Sequence, residues 1–192
     1  MNNIEPQVSE KDILRKAEVF DVPIILELLK ENLSKNIPKD EKRNDVLHYE
    51  PTEGELEKII KDTGIYLNLN EGKLKGYFMT MSKELAKSIS FEAQMLEHAE
   101  EMFYKSSQIK YFNYVVLAQI CVAKEFKGGS TFRQLSEATY SFLKKEGFEL
   151  GVGEILDTNF LSLNAHQDLE DIGSYTDSSG MKWYIRVLDL KK

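Results

Sequence analysis

The longest apolar run in the chain is FNYVVLAQICV, Phe112 to Val122, with several β-branched residues. A run of this kind predicts a strand covered on both faces, near the centre of a sheet. IYLNLNEGKLKGYFMTM has a different pattern. Tyr66 and Asn68 alternate with Leu67 and Leu69, Asn70-Glu71-Gly72 supplies a turn, and Leu74 to Met81 returns, which predicts a β-hairpin. A second hairpin is predicted from IGSYTDSSGMKWYIRVLDL, turning at Asp177-Ser178-Ser179-Gly180, and ELGVGEIL reads as a further strand. Ile13 to Asp21 opens as a short strand and ends in a cap signal.

Helical spacing accounts for most of the rest. Asp21 before Val22-Pro23 predicts an N-cap, with Ile24, Leu28 and Leu29 on the buried face of the helix that follows. TEGELEKIIKD predicts a short helix started by Thr52 and stopped before Gly64. From Glu84 to Tyr104 the pattern predicts one long helix, with Leu85, Ile89, Ala93 and Leu96 on a stripe. After Lys-Gly-Gly-Ser-Thr, the residues Phe132, Leu135, Thr139, Phe142 and Leu143 form the inner stripe of another helix, which ends at Lys144-Lys145-Glu146-Gly147. TNFLSLNAHQDL is a short helix. Residues 33 to 52 read as an irregular loop and residues 1 to 11 as a flexible tail. Strands and helices are interleaved, so the expected fold is a mixed α/β (α+β) domain spanning residues 12 to 192.

Composition narrows the function classes. The 192 residues carry a net charge of −7 and no dense Lys/Arg run, which argues against a nucleic-acid partner. No segment approaches the ~20 apolar residues of a membrane span, and the polar, acidic start lacks the apolar core of a signal peptide. With Cys121 as the single cysteine, no intrachain disulfide forms, and a reducing cytoplasm is the expected location.

The candidate chemistry sits where the central strand meets the next helix. A buried strand, a glycine turn and a helix N-terminus together suit an anion, because the first N–H groups of a helix lack partners and the helix dipole is positive there. Gly128, Gly129, Ser130 and Thr131 occupy that join. Neither GxxxxGK[ST] nor GxGxxG is present, so the local sequence alone leaves a phosphate cradle and a plain turn about equally supported. Elsewhere the pattern is structural. His98 lies among Glu97, Glu100 and Glu101 without a second His or Cys and reads as part of a solvated acidic face. Cys121 reads as a buried, inert thiol. Trp183 reads as core, with lining of an acceptor cleft as the lesser alternative, and His48 lies in a loop that could flank a substrate. No G-x-S-x-G is present.

The order of elements resembles the GNAT superfamily of acetyl-CoA-dependent N-acetyltransferases over Ile13 to Leu190. Two motifs carry the resemblance. The first is Val122, then Ala123-Lys124-Glu125-Phe126, then Lys127-Gly128-Gly129-Ser130-Thr131-Phe132, similar to the family's strand end and R/Q-x-x-G-x-G/A loop. Lys124 stands where the family often has Pro, and Ser130 and Phe132 stand at two of its glycine or alanine positions. The second is Asn159, Ser162 and His166 in NFLSLNAH, matching a downstream Asn, small residue and Tyr or His.

The resemblance implies a mostly antiparallel sheet flanked by helices, with a splayed central parallel pair. It implies acetyl-CoA as co-substrate and an amine of a small molecule or protein as acceptor, and it leaves room for a homodimer. The pantetheine arm would pair with backbone at Ile120, Cys121 and Val122. The pyrophosphate would lie on the N–H groups of Gly128 to Arg133, with Lys127 and Arg133 adding charge. Asn159 and Ser162 would brace the arm, and His166 would relay a proton to the departing thiolate. Against the family pattern no general base is identifiable, since Gln119 cannot take a proton. The alternative is a non-catalytic CoA-binding or partner-binding module of the same fold.

Overall fold

The computed structural model describes residues 12–37 and 46–192. The tail expected over residues 1 to 11 lies outside them, as do residues 38–45 of the loop before the second helix. The strands are β1 (Asp12–Lys16), β2 (Gly64–Asn70), β3 (Lys73–Ser82), β4 (Phe103–Tyr104), β5 (Ser107–Gln108), β6 (Tyr114–Val122), β7 (Leu150–Leu156), β8 (Glu170–Thr176) and β9 (Lys182–Asp189). The helices are α1 (Val22–Asn32), α2 (Glu53–Lys61), α3 (Lys83–Lys87), α4 (Ser90–Ala99), α5 (Thr131–Lys145) and α6 (Phe160–Ala165).

Seven strands form one sheet in the order β1-β2-β3-β6-β7-β9-β8. Every neighbouring pair is antiparallel except β6 and β7, which run parallel. The apolar run read as central is therefore central, and α5 makes the crossover that a parallel pair requires. The first hairpin turns on Glu71 and Gly72, both at positive φ (50° and 81°), the geometry that matches strand twist.

Alternate residues of the strands serve two cores. Ile65, Leu67, Tyr77, Met79 and Met81, all fully buried, belong to the core that takes in Ile25 and Leu29 of α1 and Leu56 and Ile59 of α2. Phe78, Val115 and Leu117 pack with Leu143 of α5 on the other side. There Asn68 Nδ2 donates to Gln134 Oε1 of α5 at 2.9 Å, and Tyr66 stacks on Phe142 at 5.1 Å.

Several expectations are corrected. The helix over Glu84–Tyr104 is two helices and a small hairpin. The Ser88 hydroxyl and amide both donate to the Leu85 carbonyl, which ends α3, and Ile89 is extended. Asp21 does not cap α1 with its side chain; its carboxylate is held by Arg15 at 2.7 and 2.8 Å and by the Glu18 amide. Ile25, one position on from Ile24, faces the core. In α5 the buried face is Thr131, Gln134, Leu135, Ser136, Thr139 and Leu143, while Phe132 and Phe142 are half-buried at its edges. Thr52 and Glu55 form the capping box that starts α2.

Candidate functional site

The site begins where the parallel pair comes apart. β6 and β7 pair only at Tyr114–Leu150, Val115–Gly151 and Val116–Val152. Just beyond, β6 carries a bulge, since Thr80 faces Leu117 while Met79 faces Gln119, leaving Ala118 unopposed. β7 passes this point through glycine. A Cβ at Gly153 would stand 2.9 Å from the Leu117 carbonyl oxygen. The strands then diverge, and two connected hollows open from the fork.

The larger hollow, about 420 Å³, runs from the end of β6 to the start of α5. Ile120, Cys121, Val122, Lys127, Gly128, Gly129 and Phe132 line it on one side and Asn159, Ser162 and His166 on the other. The two motifs, some thirty residues apart in sequence, thus face each other across one groove. Gly128 sits at φ 76°, where side chains other than glycine's are disfavoured, and nothing lies within 4 Å of a Cβ placed there. Ser130 precedes α5 without capping it through its side chain, so it does not occupy the first-turn amides of the helix. Ser130 and Arg133 are exposed at that helix start and Thr131 is buried; none of the three lines the groove. Lys127 Nζ lies 3.3 Å from Asn32 Oδ1, which ties the turn to the end of α1. Phe132 lines the groove beside the glycine turn and meets the His166 ring edge-to-face at 4.9 Å.

Asn159, Ser162 and His166 form one local unit. Asn159 Oδ1 accepts from the Ser162 amide at 3.0 Å, capping α6. Four residues past Ser162, His166 closes the helix, its Nδ1 lying 2.9 Å from the Ser162 carbonyl and 3.2 Å from the Ser162 hydroxyl. A carbonyl only accepts, so the hydrogen belongs on Nδ1 and the Nε2 lone pair is left available. Burial pushes the pKa of His166 below its ordinary value, against the raising effect of the Ser162 bond, so the ring is neutral at neutral pH. A neutral ring of this tautomer receives a proton at Nε2 before it can give one. His166 lines both hollows and so marks where they meet.

The second hollow, about 130 Å³, lies on the β7 side of the fork. Glu154, the residue after Gly153, presents the one carboxylate in its lining among the described residues. Tyr175 of β8 donates to Glu154 Oε2 at 2.6 Å. Burial raises the Glu154 pKa to about 7; the tyrosine bond opposes this and Asp177 adds to it. Glu92 of α4, buried with Oε1 unpartnered, is pushed up to about 8 by burial and by Glu154. Gln119 is spent structurally: its Oε1 accepts from Tyr77 and its Nε2 donates to the Tyr49 carbonyl at 3.1 Å, pinning the loop after residue 45 to β6.

His48 and Trp183, read from sequence as a loop flank and as core, both line this hollow and meet at 5.6 Å. Sequence reasoning missed Glu154, Glu92 and Tyr175. Glu154 in ELGVGEIL was visible as a charge inside a strand pattern, a signal worth weight. No group of three or more potential metal ligands occurs among the described residues, and His98 instead stacks on Tyr175 at 4.2 Å.

No protein-family model matches the sequence, and no curated protein matches it. Solved structures do match by shape. An N-acetyltransferase from Staphylococcus aureus Mu50 is similar at 16% identity and a TM-score of 0.63, over 93% of this chain and 98% of that one. A chain of the NatC complex, solved bound to Gag peptide and CoA, is similar at 8% identity and a TM-score of 0.65, over 93% and 98%. The Drosophila melanogaster polyamine N-acetyltransferase, which forms N-acetylagmatine, is similar at 13% identity and a TM-score of 0.63, over 93% and 99%. The chain therefore carries the fold of the GNAT N-acetyltransferases, with its mostly antiparallel sheet and one parallel pair.

Proposed function

We propose that residues 12–192 act as one N-acetyltransferase domain that moves an acetyl group from acetyl-CoA to a primary amine. The observation that carries this reading is the fork between β6 and β7, which joins a glycine-turned helix start to a buried imidazole through one continuous groove. The residues fit the co-substrate. The Gly128 amide and the first turn of α5 offer donors and a positive dipole end to the pyrophosphate, while the Gly129 amide holds the turn by donating to the Phe126 carbonyl at 3.4 Å. Lys127 and Arg133 add charge beside them. The edge of β6 left without a strand partner from Leu117 to Val122 offers backbone groups to the amide-bearing arm, in the manner of an added strand.

The residues divide the chemistry as follows. Backbone N–H groups at the fork polarise the thioester carbonyl as negative charge develops on its oxygen. A neutral amine attacks that carbon, a C–N bond forms and the C–S bond breaks. The Nε2 lone pair of His166 takes a proton from the attacking nitrogen and passes it to the departing sulfur. With His166 held by burial below the ordinary ~6.5 of histidine and a thiol at ~8.5, that second transfer is downhill. The test is thiol release from acetyl-CoA in the presence of a panel of primary amines. Amine-dependent release supports the reading. Binding of acetyl-CoA without amine-dependent release on any of them would favour a non-catalytic module.

A further inference from the structure

We propose that the acceptor is a small primary amine carried on an uncharged, apolar body, and that Glu154 pairs with its ammonium group and takes its proton. The inference rests on the acetyl-transfer reading and specifies its substrate class. The hollow on the β7 side has aromatic walls. Trp183 meets His48 at 5.6 Å and Phe91 at 6.0 Å, each edge-on, and Phe91 stacks on Tyr49 at 5.5 Å. Such rings hold apolar carbon and attract a cation to their faces. Among the described residues no lysine or arginine lines this hollow, and Glu154 is its one carboxylate. Among the described residues, an amine that also bears a carboxylate or phosphate finds no counter-charge in that lining, and ionised Glu154 and, from the β8–β9 turn, Asp177 repel it.

The groups facing Glu154 fit proton transfer. Tyr175 of β8 holds one carboxylate oxygen, and His98 of α4 stacks behind that tyrosine. Asp177, in the β8–β9 turn, accepts from Trp183 Nε1 at 2.9 Å, and Glu92 of α4 adds a fully buried carboxyl beside the half-buried Glu154. Burial and Asp177 disfavour negative charge at Glu154 against the Tyr175 bond, and a pKa of about 7 leaves it part-ionised at neutral pH.

An alkylammonium near 10.4 gives up a proton to such a group against a deficit of roughly a thousandfold in water. Desolvation of both charges in an apolar hollow shrinks that deficit. The balance is complete: one ammonium proton goes to Glu154 and then to solvent. The lone pair so freed forms the C–N bond, and the second nitrogen proton reaches the thiolate.

The experiment is steady-state thiol release on pairs differing only in a carboxylate: phenethylamine against phenylalanine, and hexylamine against 6-aminohexanoate, with a tripeptide bearing a free N-terminus alongside. The uncharged-body member of each pair should show at least tenfold higher kcat/KM and should outrun the tripeptide. Glu154→Gln should lower kcat/KM for phenethylamine by roughly 10²-fold, with the loss shrinking toward pH 10, as the fraction of amine already free of its proton grows. Calorimetry with acetyl-CoA should give the same affinity for both proteins, which also shows that the variant is folded. Preference for the carboxylate-bearing amines or for the tripeptide, no turnover of any of these amines, or an unchanged Glu154→Gln profile overturns the inference. Failure of the wild-type chain to bind acetyl-CoA overturns the acetyl-transfer reading itself.

Discussion

Gly153→Ala tests the fork from which both hollows open. The added methyl carbon would stand 2.9 Å from the Leu117 carbonyl oxygen and 3.4 Å from the Leu117 Cβ. The first contact is with backbone of the bulged central strand, so no side-chain rotation relieves it. Gly153 is not at positive φ, so alanine brings no backbone strain of its own. The cost is overpacking, about 1–3 kcal/mol. Alanine also narrows the unfolded ensemble, which returns roughly 0.4–1 kcal/mol. The net loss is about 1–2 kcal/mol. With a urea m-value of about 2 kcal/mol/M, the midpoint should fall by about 0.5–1 M at constant m.

Gly54→Ala is the control. It sits in α2 with nothing within 4 Å of the new Cβ and should stabilise by roughly 0.4–1 kcal/mol. If Gly153→Ala melts at or above the wild-type midpoint, β7 does not pass Leu117 as closely as described. The origin of the fork would then need another explanation.

His166→Ala should lower kcat by roughly 10²–10⁴-fold on an accepted amine while acetyl-CoA affinity, measured by calorimetry, changes little. Asn159→Ala should cost about 1 kcal/mol in urea melts, through the lost cap, and should also lower kcat, because the Ser162 carbonyl that orients His166 belongs to the helix it caps. Leu135→Ala, fully buried under the sheet, should cost about 2–5 kcal/mol, more than Phe142→Ala at the half-buried edge of the same helix. Glu92 has a folded pKa of about 8 against an ordinary 4.5, so between these values the folded state holds the extra proton. Stability should therefore fall as pH rises from about 4.5 to 8. Glu92→Gln should flatten that slope and raise stability at pH 8 by a few kcal/mol in melts across pH, since each pH unit in that window costs the wild type up to about 1.4 kcal/mol.

The fold was legible because its strongest signals were local. The Phe112–Val122 run, the Glu71-Gly72 turn and the Thr52 capping box each determine their own element. The Glu84–Tyr104 stretch misled because its apolar spacing continues through Ser88, whose hydroxyl competes for the helix's own carbonyl. Periodicity alone does not register such competition. The face-to-face arrangement of the glycine turn and the Asn159 helix follows from the crossover and could be inferred only through the resemblance.

Glu154 and Glu92 were not legible as a pair. They lie on β7 and α4, far apart in sequence, and what sets them apart from other carboxylates is desolvation, complete at Glu92 and partial at Glu154, rather than identity. The tautomer of His166 was equally out of reach, because it depends on which nitrogen meets the Ser162 carbonyl.

The central claim is that the groove between the glycine turn and His166 holds acetyl-CoA. Calorimetric titration of acetyl-CoA into wild type and Gly128→Asp tests it directly. Aspartate is among the residues that tolerate positive φ, and the space around Gly128 is open, so the variant should fold. It places a carboxylate where, on the proposed reading, the pyrophosphate would approach the backbone. The account predicts one site per chain in the wild type and an affinity at least about a hundredfold weaker in the variant, a charge-repulsion effect of about 2.7 kcal/mol or more. Equal affinities in the two proteins, or no binding by the wild type, would contradict it.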